Sequence, residues 1–215
     1  MYVVCNDNTS LFYTIEAIRT CWDSTDKMDS ETNGITTKLG PKDEELLRKI
    51  VFQHKHHSTL EHIVYNFSIS GISRGCLQEL ARHRIASYSV KSTRYTLKEL
   101  KDADIDKCWK TYLVQTGVPE IDNLNIQRLR EIQSLLNNST LKLDYLKYLV
   151  PEAYKTELSW TINARALRNF LELRTSKSAH WEIRTLANKI LETLPSDHRI
   201  IFEDFYEPNT VGVVV

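Results

Sequence analysis

Six glycines are spread along 215 residues, at Gly34, Gly40, Gly71, Gly75, Gly117 and Gly212, and no two of them form a G-x-G arrangement. Dinucleotide folds of the Rossmann type, P-loops and kinase glycine loops all need closely spaced glycines to bring backbone N–H groups to phosphate, so each is excluded. A nucleotide bound by this chain must be held by side chains. The length suits one domain spanning 1–215, able to bury a core without metal or disulfide staples. With 28 Lys and Arg against 28 Asp and Glu, 41% hydrophobic and 26% charged residues, the chain is neither disordered nor coated with positive charge. Cys5, Cys21, Cys76 and Cys108 form no C-x-x-C pair, which removes zinc ribbons and thioredoxin-type motifs. They are expected to be reduced packing residues in a cytoplasmic protein. The N-terminal residues lack the basic start and apolar stretch of a leader, and no apolar run reaches the ~18 residues of a membrane span.

Tyr2 to Cys5 reads as a strand, followed by a helix through Leu11, Ile15, Ile18 and Trp22 capped by Thr9 or Ser10. Asp23 to Lys42 reads as a polar loop and lid, with a helix starting at Asp43. Ile63 to Ser70 is β-branched and aromatic, hence a strand, and Ile72, Cys76 and Leu80 share a face of a helix whose last turn is Arg82-His83-Arg84. The pattern weakens from Lys101 to Asn123. Helices are expected over Ile126–Leu136, Leu141–Val150, Ala164–Arg174 and Ser178–Leu194, and Val211–Val215 as a packed strand or frayed end. Six helices against two or three irregularly placed strands predict an α+β fold, a small sheet with several packed helices.

Three segments concentrate unusual chemistry. Arg82 to Tyr95 holds four cations, a histidine and four Ser or Thr hydroxyls. Planar guanidinium forks and neutral hydroxyl donors suit phosphate oxygens, although a solvated basic helix end has the same composition. In Trp160 to Arg174, an Asn163 cap and 100° per residue put Arg165, Arg168, Asn169 and Glu172 on one face, with Leu167, Phe170, Leu171 and Arg174 on the other. A cation on an apolar face needs a carboxylate, a carbonyl-bearing ligand or a route to solvent. Gln53 to His62 is rich in histidine but lacks paired cysteines and H-E-x-x-H, so it reads as a ligand-facing or surface turn and no metal is expected.

Together these segments resemble the flavin-dependent thymidylate synthases. The family's R-H-R, seven residues, then S, is met by Arg82-His83-Arg84 and Ser92, continuing to Arg94-Tyr95. Its H-x-(S/T)-x-x-E-H turn resembles His56 to His62, and its N-A-R-x-L-x-N-F-L-x-L-R resembles Asn163 to Arg174. The resemblance implies the thymidylate-synthase-complementing-protein fold and reductive methylation of dUMP to dTMP. Methylenetetrahydrofolate would be the one-carbon donor, NADPH the reductant, and FAD the cofactor carrying the hydride. It further implies a homotetramer with active sites shared between subunits.

Carried over by position, Ser58, Arg82, His83, Arg84, Asn163, Arg165 and Asn169 would contact FAD, while Arg82, Ser92 and Arg94 would hold the dUMP phosphate. Lys147 stands where the family has a nucleotide-binding Arg. Arg174 would be the catalytic residue, contacting uracil and favouring ionisation at N3, and His56 would border the flavin and folate pocket. The chain departs from the pattern at Ser89-Val90, where many members have Asn-Glu, and at Glu79, in place of a Gln. Two other readings are a basic nucleotide- or nucleic-acid-binding module without catalysis, which zero net charge disfavours, and a flavoprotein oxidase on the same scaffold.

Overall fold

The computed structural model describes residues 1–206, so the expectation for Val211–Val215 lies outside the described residues. The elements in order are β1 (Tyr2–Asn8), α1 (Phe12–Cys21), β2 (Glu31–Thr32), β3 (Thr37–Lys38), α2 (Pro41–Arg48), β4 (Val64–Ser73), α3 (Arg74–Leu80), β5 (Ala86–Val90), α4 (Thr93–Thr96), α5 (Ile105–Tyr112), α6 (Pro119–Asn138), α7 (Leu143–Leu146), β6 (Lys155–Asn163), α8 (Ala164–Arg174) and α9 (Trp181–Thr193). A 3-10 segment, Ser196–Phe205, follows. Four strands form one sheet in the order β1-β4-β6-β5, and β2 and β3 form a separate antiparallel pair. The α+β expectation holds. The chain divides into two compact units, one made of residues 1–2, 69–82 and 88–159, the other of 3–68, 83–87 and the described residues from 160 onward.

Two junctions position the residues of interest. β4 runs directly into α3 and β6 directly into α8, and in each case the strand's last residue is the helix cap. Ser73 Oγ accepts from the Cys76 amide at 2.9 Å, and Asn163 Oδ1 accepts from the Ala166 amide at 2.8 Å. The first-turn amides that caps leave over go to backbone carbonyls: Arg74 and Gly75 donate to Tyr154 and Glu152, and Ala164 donates to Ile63. No loop residues intervene, so strand direction fixes helix direction.

In the unit containing α4 to α7, Leu97, Leu100, Ile105, Leu113, Leu129, Ile132, Leu146 and Tyr154 form the core. Pro119 opens α6, as a residue without an N–H suits a first helical turn. The stretch 101–123 therefore contains α5 and the start of α6, where sequence periodicity was weak. The helix expected over 141–150 is shorter: α7 followed by a 3-10 turn, Lys147–Leu149, ahead of Pro151.

In the other unit, Tyr65, Phe67, Trp160, Phe170 and Phe202 are fully buried, their rings linked at centroid distances of 5.2–6.2 Å through Tyr65–Phe67, Phe67–Trp160, Trp160–Phe170 and Tyr65–Phe202. Residues 23–42, expected as a bare loop, carry a 3-10 turn and the β2–β3 hairpin. Their base is pinned: buried Asp43 accepts from Arg19 Nε at 2.8 Å and from the Asp29 and Ser30 amides at 2.9 Å. Burial pushes this carboxyl up, but those hydrogen bonds together with the Arg19 charge outweigh it and hold it below the usual carboxylate range. The first-turn amide of α1 goes to the hydroxyls of Ser10 and Thr37.

His198, in the closing 3-10 segment, is fully buried, and Tyr65 Oη lies 2.8 Å from its Nδ1. Burial pushes the imidazole down, against the opposing pull of Asp197, so the ring is neutral and Nδ1 can accept from the phenol. A His whose folded pKa is depressed contributes stability that is complete above its unfolded value, about 6.5, and is lost as pH falls through the folded value. Urea unfolding is expected to show a midpoint that declines on acidification below about pH 6.5, and His198→Gln should flatten that decline while lowering stability at neutral pH.

Candidate active site

The histidine-rich turn, the stretch after α3 and the start of β6–α8 supply the candidate residues. In the unit holding α8, a cavity of about 320 Å³ is lined by Trp22, Lys55, His56, Ser58 and Arg165 among others. It brings together three residues singled out in the sequence, His56, Ser58 and Arg165, all exposed to it. The turn that presents them is shaped by Lys55, whose φ of 54° lies in the left-handed region, and by His57, whose Nε2 lies 2.9 Å from the Val51 carbonyl oxygen. Arg165 Nη1 donates to Glu61 at 2.6 Å, tying α8 to the histidine turn. Trp22, His54 and His56 form a chain of rings at 6.3 and 5.6 Å. Trp22 and Lys55 were not singled out from sequence: Trp22 read as part of the first helix, and Lys55 stands in the Gln53 to His62 segment just ahead of its motif.

At the other end of α8, Arg174 is half-buried and its Nε donates to Nε2 of His83 at 3.0 Å. Accepting there requires a deprotonated Nε2. His83 in turn lies edge-on to Phe170, with centroids 4.9 Å apart and planes at 80°. The cation on the apolar face thus sits against a buried imidazole. Asn163 caps α8 with its amide oxygen, which leaves the amide nitrogen for a ligand, and Asn169 is exposed one turn beyond Arg165. Arg84 is exposed and forms no ion pair among the described residues.

The helix face differs from the expectation at one position. Arg168, placed with Arg165 by helical geometry, is buried. Its guanidinium donates to Asp204 at 2.6 and 2.9 Å and to the Ile201 carbonyl, and stands over the Phe52 and Phe205 rings. It anchors the closing segment and is not available to a ligand. Arg82-His83-Arg84 also differs: α3 ends at Leu80, and the three residues lie in the turn leading to β5, which the sequence did not suggest.

In the unit holding α4 to α7, Ser92 stands at the N-cap of α4 with no capping bond from its side chain, so its Oγ is uncommitted. Arg94 is exposed and paired with Asp144, Nε to Oδ1 at 2.6 Å and Nη2 to Oδ2 at 3.2 Å. Lys147 is one turn after Asp144 and lies over the Tyr148 ring. Arg82 is exposed and 3.7 Å from Glu79, so the anion at position 79 sits beside a motif arginine.

These donors fit FAD: guanidinium, amide, imidazole and hydroxyl groups are what a pyrophosphate and flavin carbonyls accept. Among the described residues no group of three His, Cys, Asp or Glu side chains is arranged to hold a metal ion, and no helix is long and apolar enough to cross a membrane. None of the four cysteines forms a disulfide among the described residues. Cys76 is buried, whereas Cys21 is exposed and lines the cavity beside Trp22, which departs from the expected packing role.

The family model for thymidylate synthase complementing protein matches residues 5–197. A flavin-dependent thymidylate synthase of Wolinella succinogenes is 51% identical over 94% of this chain and 97% of its own length. Its counterpart in Helicobacter pylori is 42% identical over 95% of this chain and 98% of its own. The crystal structure of thymidylate synthase X from Helicobacter pylori with FAD and dUMP superposes with a TM-score of 0.87 at 41% identity, covering 97% of this chain and all of that one.

Because Asn163 serves α8 through its oxygen alone, the two halves of its amide are separable. Asn163→Ala is expected to cost about 1 kcal/mol in urea unfolding, the worth of an N-cap, while Asn163→Asp keeps the acceptor and full stability.

Proposed function

From the chain's membership of the thymidylate synthase complementing protein family, the flavin-dependent thymidylate synthases, we propose that it converts dUMP to dTMP by reductive methylation. Methylenetetrahydrofolate gives the one-carbon unit and NADPH the reducing equivalents. Residues 1–215 act as one domain of this kind, within a homotetramer whose subunits share active sites, in the cytoplasm. The observation that carries this reading is that α8 joins the three motifs. Arg165 meets the histidine turn at Glu61 and lines one cavity with Ser58, and Arg174 meets the R-H-R segment at His83, 91 residues away in sequence.

In this reading FAD, when bound, supplies the hydride. Ser58, Arg165, Asn163 and Asn169 bind it from the histidine turn and α8, and Arg82, His83 and Arg84 from the turn after α3. His56 borders the cavity that the folate uses. Arg82, Ser92 and Arg94 take the dUMP phosphate, with Lys147 adding a charge but not the fork of the family arginine. Arg174 places its cation at the uracil and so stabilises negative charge left when the N3 proton departs. A guanidinium against an apolar wall exerts a stronger field than one in water, and its tether to His83 removes the need to reorganise as that charge develops. No cysteine is needed as nucleophile.

The visible spectrum tests the reading. Purified protein should show a flavin band that bleaches with anaerobic NADPH, and dTMP should form only when dUMP and methylenetetrahydrofolate are both present. Protein that neither takes up FAD nor forms dTMP would overturn it. Arg174→Ala is expected to lower kcat about 10²- to 10³-fold, the usual cost of one transition-state donor, with the flavin band and the unfolding midpoint unchanged.

A further inference from the structure

Asp144 belongs to no motif, yet it grips a guanidinium that the sequence marks for phosphate. Its carboxylate takes Arg94 side-on, Oδ1 with Nε at 2.6 Å and Oδ2 with Nη2 at 3.2 Å. A guanidinium carries five N–H donors in a plane. The side-on grip uses one on Nε and one on Nη2, leaving the second hydrogen of Nη2 and one on Nη1 to form the end edge of the fork, with the last Nη1 hydrogen directed back beside Cδ. That edge is itself a two-pronged match for phosphate oxygens. Ser92, with its uncommitted hydroxyl, is two residues before Arg94 on the same short turn.

The platforms under the pair are fixed. Leu97, in the turn that continues α4, and Leu146, in α7, are fully buried in one apolar core, so the helix bearing Arg94 and the helix bearing Asp144 cannot shift independently. The side chains themselves stand 57% and 48% exposed. An exposed arginine without a partner samples many rotamers, and binding then costs the entropy of choosing one. Charge balance favours positioning over attraction: Asp144 cancels the charge of Arg94, so what it contributes to an anion site is a fixed plane.

We propose that Asp144 is a positioning residue for the nucleotide phosphate, holding Arg94 by its side edge so that its end edge is presented ready-made. The proposal rests on the reading of Arg94 as a dUMP phosphate ligand. The quantity to measure is the phosphate increment, the ratio of the dissociation constant of deoxyuridine to that of dUMP on FAD-loaded protein, with deoxyuridine measured by its displacement of dUMP. Asp144→Asn keeps the size but offers one acceptor oxygen, and should reduce the increment about five- to tenfold, as expected for the loss of one oriented ion-pair contact. Deoxyuridine affinity, flavin content and thermal midpoint should stay unchanged. Asp144→Glu, retaining both oxygens, should recover part of the loss, and Arg94→Ala should abolish most of the increment. In the Arg94→Ala background, Asp144→Asn should have no further effect. An unchanged or larger increment in Asp144→Asn, with Arg94→Ala still defective, would overturn the positioning role and make Asp144 a bystander or competitor. An increment unaffected by Arg94→Ala would instead overturn the assignment of Arg94 to phosphate.

Discussion

The buried faces of α8 and β6 decide where the reactive cations stand. Trp160 and Phe170 meet at 5.2 Å, and Phe170 meets the edge of His83 at 4.9 Å. The aromatic stack that fills this unit therefore ends on an imidazole, and the imidazole holds Arg174. An arginine half-buried at the rim of such a stack gives up part of its water, a cost that a hydrogen-bonding partner offsets. His83 compensates in part, its Nε2 accepting from Arg174 Nε at 3.0 Å.

The same logic separates the arginines along α8. Arg165, Arg168 and Arg174 sit on one helix of eleven residues. Arg168 is spent on Asp204 and two aromatic rings, Arg165 is oriented by Glu61 at a cavity wall, and Arg174 donates to the His83 imidazole. Their different settings follow from partner chemistry more than from exposure. Residue type alone does not distinguish them.

That explains what the sequence could and could not show. The bounds of α8 were legible because Asn163 is a strong cap and the apolar spacing is regular. β6 carries a clean alternation of buried Thr156, Leu158, Trp160 and Ile162, but it abuts the helix with no turn signal, which hides where one period gives way to the other. β5 was not legible at all: none of its five residues is buried, so no period is written in it. The motif residues were legible as chemistry, while several of their partners lie outside any motif. Asp144, Asp204, Trp22 and Lys55 become visible only when the chain has brought them into contact. Arg168 was misplaced for the same reason, because its carboxylate is 36 positions further on.

The anchoring of Arg168 bears on the timing of assembly. Until residues 201–204 are available to accept its hydrogen bonds, α8 carries an unsatisfied cation on its core side, and Tyr65 lacks the imidazole that takes its hydroxyl. The unit also needs residues from its opening stretch, since β1 is an edge of the sheet and Arg19 must find Asp43. A vectorially synthesised chain thus makes residues 3–68 of this unit, then nearly all of the other unit, and only afterwards the segment that seals α8. Closure of α8 is in consequence a late event on the ribosome or one that follows release, and the intervening unit has the whole of that interval in which to fold first.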